Sequence, residues 1–352
     1  MNKVVAVIGA RPQFIKHFPF ELEAKKHFDL VTIHTGQHYD VNMSQVFFDQ
    51  LNMRKPDYML SLGGGTHGVQ TGKMLVEIEK ILIEEKPDMV VVYGDTNSTL
   101  AGALAAAKLH IPITHIEAGL RSFNKNMPEE VNRVLTDHIS KLLLVPSSVA
   151  ERNLENEGIS EAVHIVGDIM KDLIKYAKEN ELLIQPNERD YYYMTLHRPY
   201  NVDKASRLKT ILSELNAIGQ NIIFPAHPRT INNIKKFGLE DYLVNINLIP
   251  PQGYFENLSY LNFSKGLITD SGGMQKEAYW LKKKCFTIRS ETEWIETLEG
   301  NANTLIFENI DELSQWLLIE DTINFNSDLY GDGRAAKKIV AAMENALLNS
   351  NT

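Results

Sequence analysis

The feature that most constrains this chain is a series of short, continuously apolar runs separated by segments of helical length. Residues 4–8, 30–34, 89–93, 111–116 and 142–145 form a first set of runs. Residues 191–196, 221–225, 243–249, 266–269 and 285–288 form a second. A strand with one wet face alternates apolar and polar residues, whereas a run without alternation belongs to a sheet covered on both faces. The intervening segments are clearest as helices at 68–85 and 99–109. Strand–helix alternation of this kind predicts right-handed βαβ units and parallel sheets. The 352 residues suffice for two such cores. The predicted fold class is therefore α/β, with Rossmann-like domains at 1–166 and 167–334. A last helical pattern, 335–348, follows Gly331-Asp332-Gly333.

Composition narrows the function classes. Apolar residues make up 43% and charged residues 23%, which argues for globular structure over disorder or coiled coil. The formal net charge of −9 gives no bulk attraction to nucleic acid or to an anionic membrane. A locally basic pocket for a phosphorylated small molecule is still compatible with that balance. Cys285 is the sole cysteine, so an intrachain disulfide and a cysteine metal cage are excluded. The apolar run after Met1-Asn2-Lys3 is too short for a signal-peptide core, and no run approaches the roughly 20 apolar residues that span a bilayer. These features predict a cytoplasmic protein without membrane or nucleic-acid partners.

In doubly wound sheets, ligands sit beyond the carboxyl ends of the strands, so the residues just after each apolar run are the candidates. Gly9-Ala10-Arg11-Pro12 follows the first run, with Lys16 about one helical turn further on. Two cations there suit a diphosphate or a carboxylate. Asp95 follows residues 89–93, and the polar residues after it can cap a helix. Glu117 follows 111–116, with Arg121 as a prospective partner. Glu129 lies in a helix start opened by Pro128, where acidic residues also complement the helix dipole. If the carboxylates of Asp95, Glu117 and Glu129 converge, their mutual repulsion raises some of their pKa values and suits proton transfer near neutrality.

The second half offers His197-Arg198, His227-Pro228-Arg229 and Asp270-Ser271-Gly272-Gly273, each after a predicted strand. A glycine pair opening a helix presents backbone N–H groups and the positive dipole end, which together bind phosphate. Glu277, one turn into that helix, is placed to reach a ribose hydroxyl. Gly63-Gly64-Gly65-Thr66-His67-Gly68 matches the dinucleotide fingerprint by spacing. It does not follow the first strand, however, and its expected ribose-binding acid falls at Glu84-Glu85 in a helix end, so a flexible glycine loop is the better reading. His34 and His38 are separated by Gly36, and the chain has no Asp-x-Asp pair. No metal and no cofactor are expected.

In combination these segments identify a family. Gly-x-Arg-Pro at 9–12, His34-Thr35-Gly36-Gln37-His38, Gly94-Asp95-Thr96, Glu117-Ala118-Gly119-Leu120-Arg121, Pro128-Glu129-Glu130-x-Asn132-Arg133, His197-Arg198, His227-Pro228 and Asp270-Ser271-Gly272-Gly273 occur in order along nearly the whole chain. The sequence resembles the non-hydrolysing UDP-N-acetylglucosamine 2-epimerases. That resemblance implies a GT-B arrangement of two Rossmann-like domains with the active site in the cleft. It also implies that the helix within 335–352 packs back on the first domain, and that the protein is a cytoplasmic homodimer. The implied reaction inverts C2 of a UDP-linked 2-acetamido sugar by elimination and re-addition of UDP, supplying a precursor for surface polysaccharide.

Carried over residue by residue, the resemblance makes Asp95, Glu117, Glu129 and His197 catalytic. It makes Arg11, Lys16, Arg198, His227, Ser271, Gly272, Gly273 and Glu277 substrate-binding. It also suggests a second or regulatory UDP-sugar site around Gln37, His38 and Gln70. Two departures stand out. Arg198-Pro199-Tyr200-Asn201 lacks the family's glutamate, and Met127 replaces the usual tryptophan before Pro128. The Arg11–Lys16 stretch, the Gly63–Gly68 loop with Gln70, and Glu291-Thr292-Glu293-Trp294-Ile295-Glu296 look more like a subgroup acting on UDP-2,3-diacetamido-2,3-dideoxyglucuronate. A hydrolysing 2-epimerase, a GT-B glycosyltransferase and a non-catalytic nucleotide-sugar sensor are the competing readings.

Overall fold

The computed structural model describes residues 1–37, 51, 53–318 and 322–349. The chain divides into two compact units, Met1–Tyr176 with Asp328–Thr352, and Ala177–Ser327. The first unit contains β1 (Lys3–Ile8), α1 (Arg11–Ala24), β2 (Asp29–His34), β3 (Tyr58–Met59), α2 (His67–Glu85), β4 (Met89–Tyr93) and α3 (Asn97–Lys108). It continues through β5 (Ile113–Ile116), α4 (Pro128–Ile139), β6 (Leu142–Val145), α5 (Ser148–Asn156), β7 (Val163–Ile165) and the start of α6 (Ile169–Glu179). The second unit contains β8 (Tyr191–Thr195), α7 (Pro199–Val202), α8 (Ala205–Ala217), β9 (Asn221–Pro225), α9 (Pro228–Phe237) and β10 (Ile246–Ile249). After these come α10 (Tyr254–Phe263), β11 (Gly266–Thr269), α11 (Gly272–Trp280), β12 (Lys284–Thr287), β13 (Asn303–Leu305) and α12 (Leu313–Leu318). The last helix, α13 (Ala335–Asn349), belongs to the first unit.

Both sheets are parallel. The first has seven strands in the order β3-β2-β1-β4-β5-β6-β7, and the second has six in the order β10-β9-β8-β11-β12-β13. Order reverses beside β1 in the first sheet and beside β8 in the second, as in doubly wound folds. The continuous apolar strands follow from this layering. Val4, Ala6 and Ile8 of β1 face one core with α1 and α13, while Val5 and Val7 face another with α2 and α3. Each fully buried valine or isoleucine contributes about 1.5–3 kcal/mol, so neither face of such a strand tolerates a polar residue cheaply. The short strands β3 and β13 lay outside the sequence expectation. They are two and three residues long and only partly buried, which leaves no apolar run to read.

The final helix is fixed at its amino end by a buried carboxylate. Asp172 accepts hydrogen bonds from the backbone N–H of Ala335 at 2.9 Å and of Ala336 at 2.8 Å. Ile339, Val340, Met343 and Leu347 then enter the core beside α1. Burial raises the Asp172 pKa to about 6; the two amide bonds pull it down, and the nearby Asp168 and Asp332 add to the rise. A carboxyl group whose folded pKa lies above its unfolded value contributes stability below the unfolded pKa and loses it as pH rises through the folded one. The wild type is therefore expected to lose stability relative to Asp172→Asn between about pH 4 and pH 7, by at most about 3 kcal/mol. Paired denaturant melts across that range check it, and a difference that does not change with pH refutes it.

Candidate active site

In the first sheet, the four neighbouring strands β2, β1, β4 and β5 end beside one another and deliver Gln37, Arg11, Asp95 and Glu117 from their carboxyl ends. Local geometry fixes each turn. Gln13 in the first turn of α1 accepts from the N–H groups of Gly9 at 2.8 Å and Ala10 at 3.0 Å, and donates to the Tyr93 carbonyl and to Thr99 Oγ1, both at 2.9 Å. It thereby ties the β1 turn to the end of β4. Thr96 caps α3, accepting from the Thr99 N–H at 3.2 Å. Gly94, at φ +60°, turns the chain out of β4. A Cβ there would lie 3.3 Å from Glu117 Oε2 and 3.6 Å from Lys16 Nζ, so glycine also makes room for that pair.

Lys16 forms an ion pair with Glu117, and Arg133 of α4 forms one with Asp95. Arg133 also contacts Glu130 at 3.3 Å. Burial works against the Arg133 charge, but Asp95, Glu130 and Glu117 outweigh it and raise its pKa above the ordinary guanidinium value. Glu117 itself sits at φ +68°, a left-handed conformation that a glutamate takes only under constraint from its surroundings. Arg121, expected beside Glu117, turns away from it. Its Nη1 donates to Asp137 at 2.7 Å, and its Nε and Nη2 donate to Glu157 at 2.7 and 2.8 Å. The reason is competition: Asp137 is fully buried and has the greater need of a cation.

Glu129 stands exposed in the first turn of α4, whereas its neighbour Glu130 is buried and accepts from the N–H groups of Ser122 and Phe123, both at 2.9 Å. Gln37 accepts from the Ser98 N–H at 2.9 Å and from its hydroxyl at 2.7 Å. Gln70 accepts from Asn97 Nδ2 at 2.7 Å. Asn132 Nδ2 donates to the Asp95 carbonyl at 2.9 Å and to Asn97 Oδ1 at 3.2 Å, so Gln70 connects through two amides to the Asp95 backbone. His38 lies outside the described residues.

In the second sheet the adjacent strands β9, β8, β11 and β12 carry His227, His197-Arg198, Asp270-Ser271 and Arg289 beyond their carboxyl ends. Asp270, fully buried, organises this edge. Its carboxylate accepts from the N–H groups of His197 at 3.1 Å and Arg198 at 2.8 Å, and from Asn201 Nδ2 at 3.2 Å. It also lies 3.0 Å from His197 Nδ1, which leaves the half-exposed ring with Nε2 turned away from Asp270. Asn201 thus ties this turn to Asp270 and, through the same amide, to the Ile288 carbonyl at 3.0 Å. His227 Nδ1 accepts from the Arg229 N–H at 3.2 Å and caps α9.

Ser271 is the N-cap position of α11, and Gly272 and Gly273 open the helix. A Cβ on Gly272 would lie 2.5 Å from Glu293 Oε1 and 3.4 Å from Arg289 Nη1, so glycine lets the Arg289–Glu293 ion pair (3.0 Å) close on the helix start. Glu277 is buried within α11. Asp137 and Arg289 are not singled out by the sequence, and Arg133 and Asp270 stand there only within motifs, with no role assigned. For Arg289 the signal was there, since an arginine directly beyond an apolar run has the same placement as Arg11.

Comparison with known proteins agrees with this geometry. The profile of the family described as UDP-N-acetylglucosamine 2-epimerase matches residues 20–344. The UDP-2,3-diacetamido-2,3-dideoxy-D-glucuronate 2-epimerase of Pseudomonas aeruginosa is 46% identical, covering 96% of this chain and 98% of its own. The UDP-N-acetylglucosamine 2-epimerase of Methanococcus maripaludis is also 46% identical, over 97% and 98%. The crystal structure of the Methanocaldococcus jannaschii UDP-GlcNAc 2-epimerase in complex with UDP-GlcNAc and UDP superposes with a TM-score of 0.85 at 43% identity, covering 97% of this chain and 99% of that one. With both parallel sheets, the ordered strand-end motifs and matches over nearly its full length, the chain belongs to the UDP-N-acetylglucosamine 2-epimerase family.

Proposed function

We propose that this protein inverts C2 of a UDP-linked 2-acetamido sugar by eliminating UDP and adding it back. The observation that carries this reading is the placement of Asp95 and Glu117 on adjacent parallel-strand ends, each with its own cation. The C2 proton has no neighbouring carbonyl to acidify it. It leaves with help from the leaving group: the C2–H electron pair becomes the C1–C2 double bond while the C1–O bond breaks and UDP departs with its pair. On return, a UDP oxygen attacks C1 and C2 takes a proton on the opposite face. This cycle needs acid/base groups at both faces and firm retention of UDP. Asp95, Glu117 and Glu129 serve the first need. His197, oriented by Asp270, faces the leaving diphosphate. The proposed diphosphate-binding groups are Arg11 and Lys16 of the first unit and, in the second, Arg198, His227 and the Ser271, Gly272 and Gly273 amides, with Glu277 proposed for the ribose. Gln37, His38 and Gln70 mark a second UDP-sugar site.

Equal identity to a UDP-N-acetylglucosamine epimerase and to a diacetamido-glucuronate epimerase supports both of those substrates as candidates. Incubation with each in deuterated water, read by NMR, is expected to place deuterium at C2 of one of them without build-up of free sugar. Free manno sugar instead indicates hydrolysis, and no exchange with either indicates a binding protein. Asp95→Asn, Glu117→Gln and Glu129→Gln are each expected to lower turnover about 10²- to 10⁴-fold while UDP still binds. Near-native turnover in any one removes that residue from the set.

The protein is further proposed to act in the cytoplasm as a homodimer supplying a precursor for surface polysaccharide. No helix among the described residues is long and apolar enough to cross a membrane. Helix α2 exposes Val69, Val76 and Ile83 at about half their surface, at a seven-residue spacing, and α4 exposes Val131 and Leu135. This exposed apolar row is proposed to meet the same row of a second copy across a two-fold axis. Val76→Lys is expected to convert a dimer to a monomer in analytical ultracentrifugation, and an unchanged dimer refutes this interface.

A further inference from the structure

We propose that His115 is a positioning residue for the carboxylates of the first unit, acting as a doubly protonated imidazolium clamped between Asp137 and the carbonyl of Gly94. His115 belongs to β5 and is fully buried. Its Nδ1 lies 2.6 Å from Asp137 Oδ1 and its Nε2 lies 2.7 Å from the Gly94 carbonyl oxygen. A carbonyl oxygen only accepts. An ionised carboxylate only accepts as well, and Asp137 is the carboxylate of a buried ion pair with Arg121, whose Nη1 lies 2.7 Å from its Oδ2. A neutral imidazole has one N–H and one lone pair, so it would turn a lone pair toward one of these two acceptors in the dry interior. Two donated hydrogen bonds require two ring protons.

The charges around the ring balance. Asp137 and Glu157 oppose His115 and Arg121, and His138 meets Glu157 at the rim, 3.2 Å away. The position of this cluster gives it its consequence. Gly94 directly precedes Asp95. Gly119, whose N–H donates to Asp137 Oδ2 at 3.1 Å, lies two residues after Glu117. Asp137 rides on α4, the helix that carries Glu129 and the Arg133 paired with Asp95. One buried ring and one carboxylate therefore join the three segments that carry Asp95, Glu117 and Glu129. They also help keep Glu117 in its left-handed conformation.

The inference rests on the reading of those carboxylates as the proton-transfer set, and its test separates the two. Protein labelled with ¹⁵N in the histidine rings is compared with His115→Gln by long-range proton–nitrogen NMR at about pH 8, where an ordinary exposed imidazole is neutral. One ring with both nitrogens protonated, absent from the variant, is the expected result. A lone-pair nitrogen in that ring overturns the imidazolium whatever the enzyme catalyses. In the C2 deuterium-exchange assay, His115→Gln and Asp137→Asn are expected to lower kcat about 100-fold, as for a displacement near 1 Å, with KM and UDP affinity within about threefold. Full kcat in either folded variant overturns the positioning role. If His115→Gln does not fold, Asp137→Asn alone decides the kinetic arm. A protonated ring in a protein that exchanges no C2 hydrogen overturns the functional reading and leaves the ring assignment standing.

Discussion

Parallel strands end on the same edge of their sheet, and that constraint governs everything functional in this chain. Each βαβ crossover returns the next strand in the same direction, so the turn after every strand opens on one side. Residues distant in sequence become neighbours because their strands are neighbours. Arg11, Asp95 and Glu117 come together through the order β1-β4-β5, and His227, His197, Ser271 and Arg289 through β9-β8-β11-β12. The apolar bulk of both faces is what makes these edges rigid enough to hold polar groups at defined positions.

Each edge is then organised by one buried aspartate. Removing a carboxylate from water costs several kcal/mol unless donors replace the lost hydration. Asp137 recovers that cost from His115, Arg121 and the Gly119 N–H, and Asp270 recovers it from two backbone N–H groups, Asn201 and His197. In each case the donors belong to different segments, so satisfying the carboxylate fixes the segments relative to one another. The two units have reached the same solution from opposite directions. At Asp137 the histidine is buried beneath the edge, and at Asp270 it stands half-exposed on top.

The sequence makes the layers legible because burial on both faces leaves an unbroken apolar run, as in Met89–Tyr93 and Leu142–Val145. Strand-end chemistry is legible for the same reason, since the end of a run marks the edge. What escapes is pairing across sequence distance. His115 and Asp137 are 22 positions apart and join only because α4 lies against the β5 edge. Arg121 has Glu117 as its near neighbour in sequence, yet the turn at Gly119 and the demand of Asp137 send it elsewhere. Asp270 looks like a turn residue until its four donors are seen. The edge strands β3 and β13 escape for a simpler reason, as they are too short to show a pattern.

Net charge turns out to be a poor guide to local electrostatics. The chain carries −9 overall, but screening at physiological salt confines most surface effects to about 8 Å, so a ligand responds to the groups beside it. In the first unit Lys16, Arg121 and Arg133 are each paired with carboxylates. In the second, Arg198 donates Nε to a carbonyl oxygen, that of Asp270 at 3.4 Å, and among the described residues its guanidinium has no ion-pair partner. The α11 amino end beside it adds the partial positive charge of unsatisfied N–H groups. The cation-rich helix start of the second edge and the carboxylate-paired cations of the first are thus local features that the overall charge does not reveal.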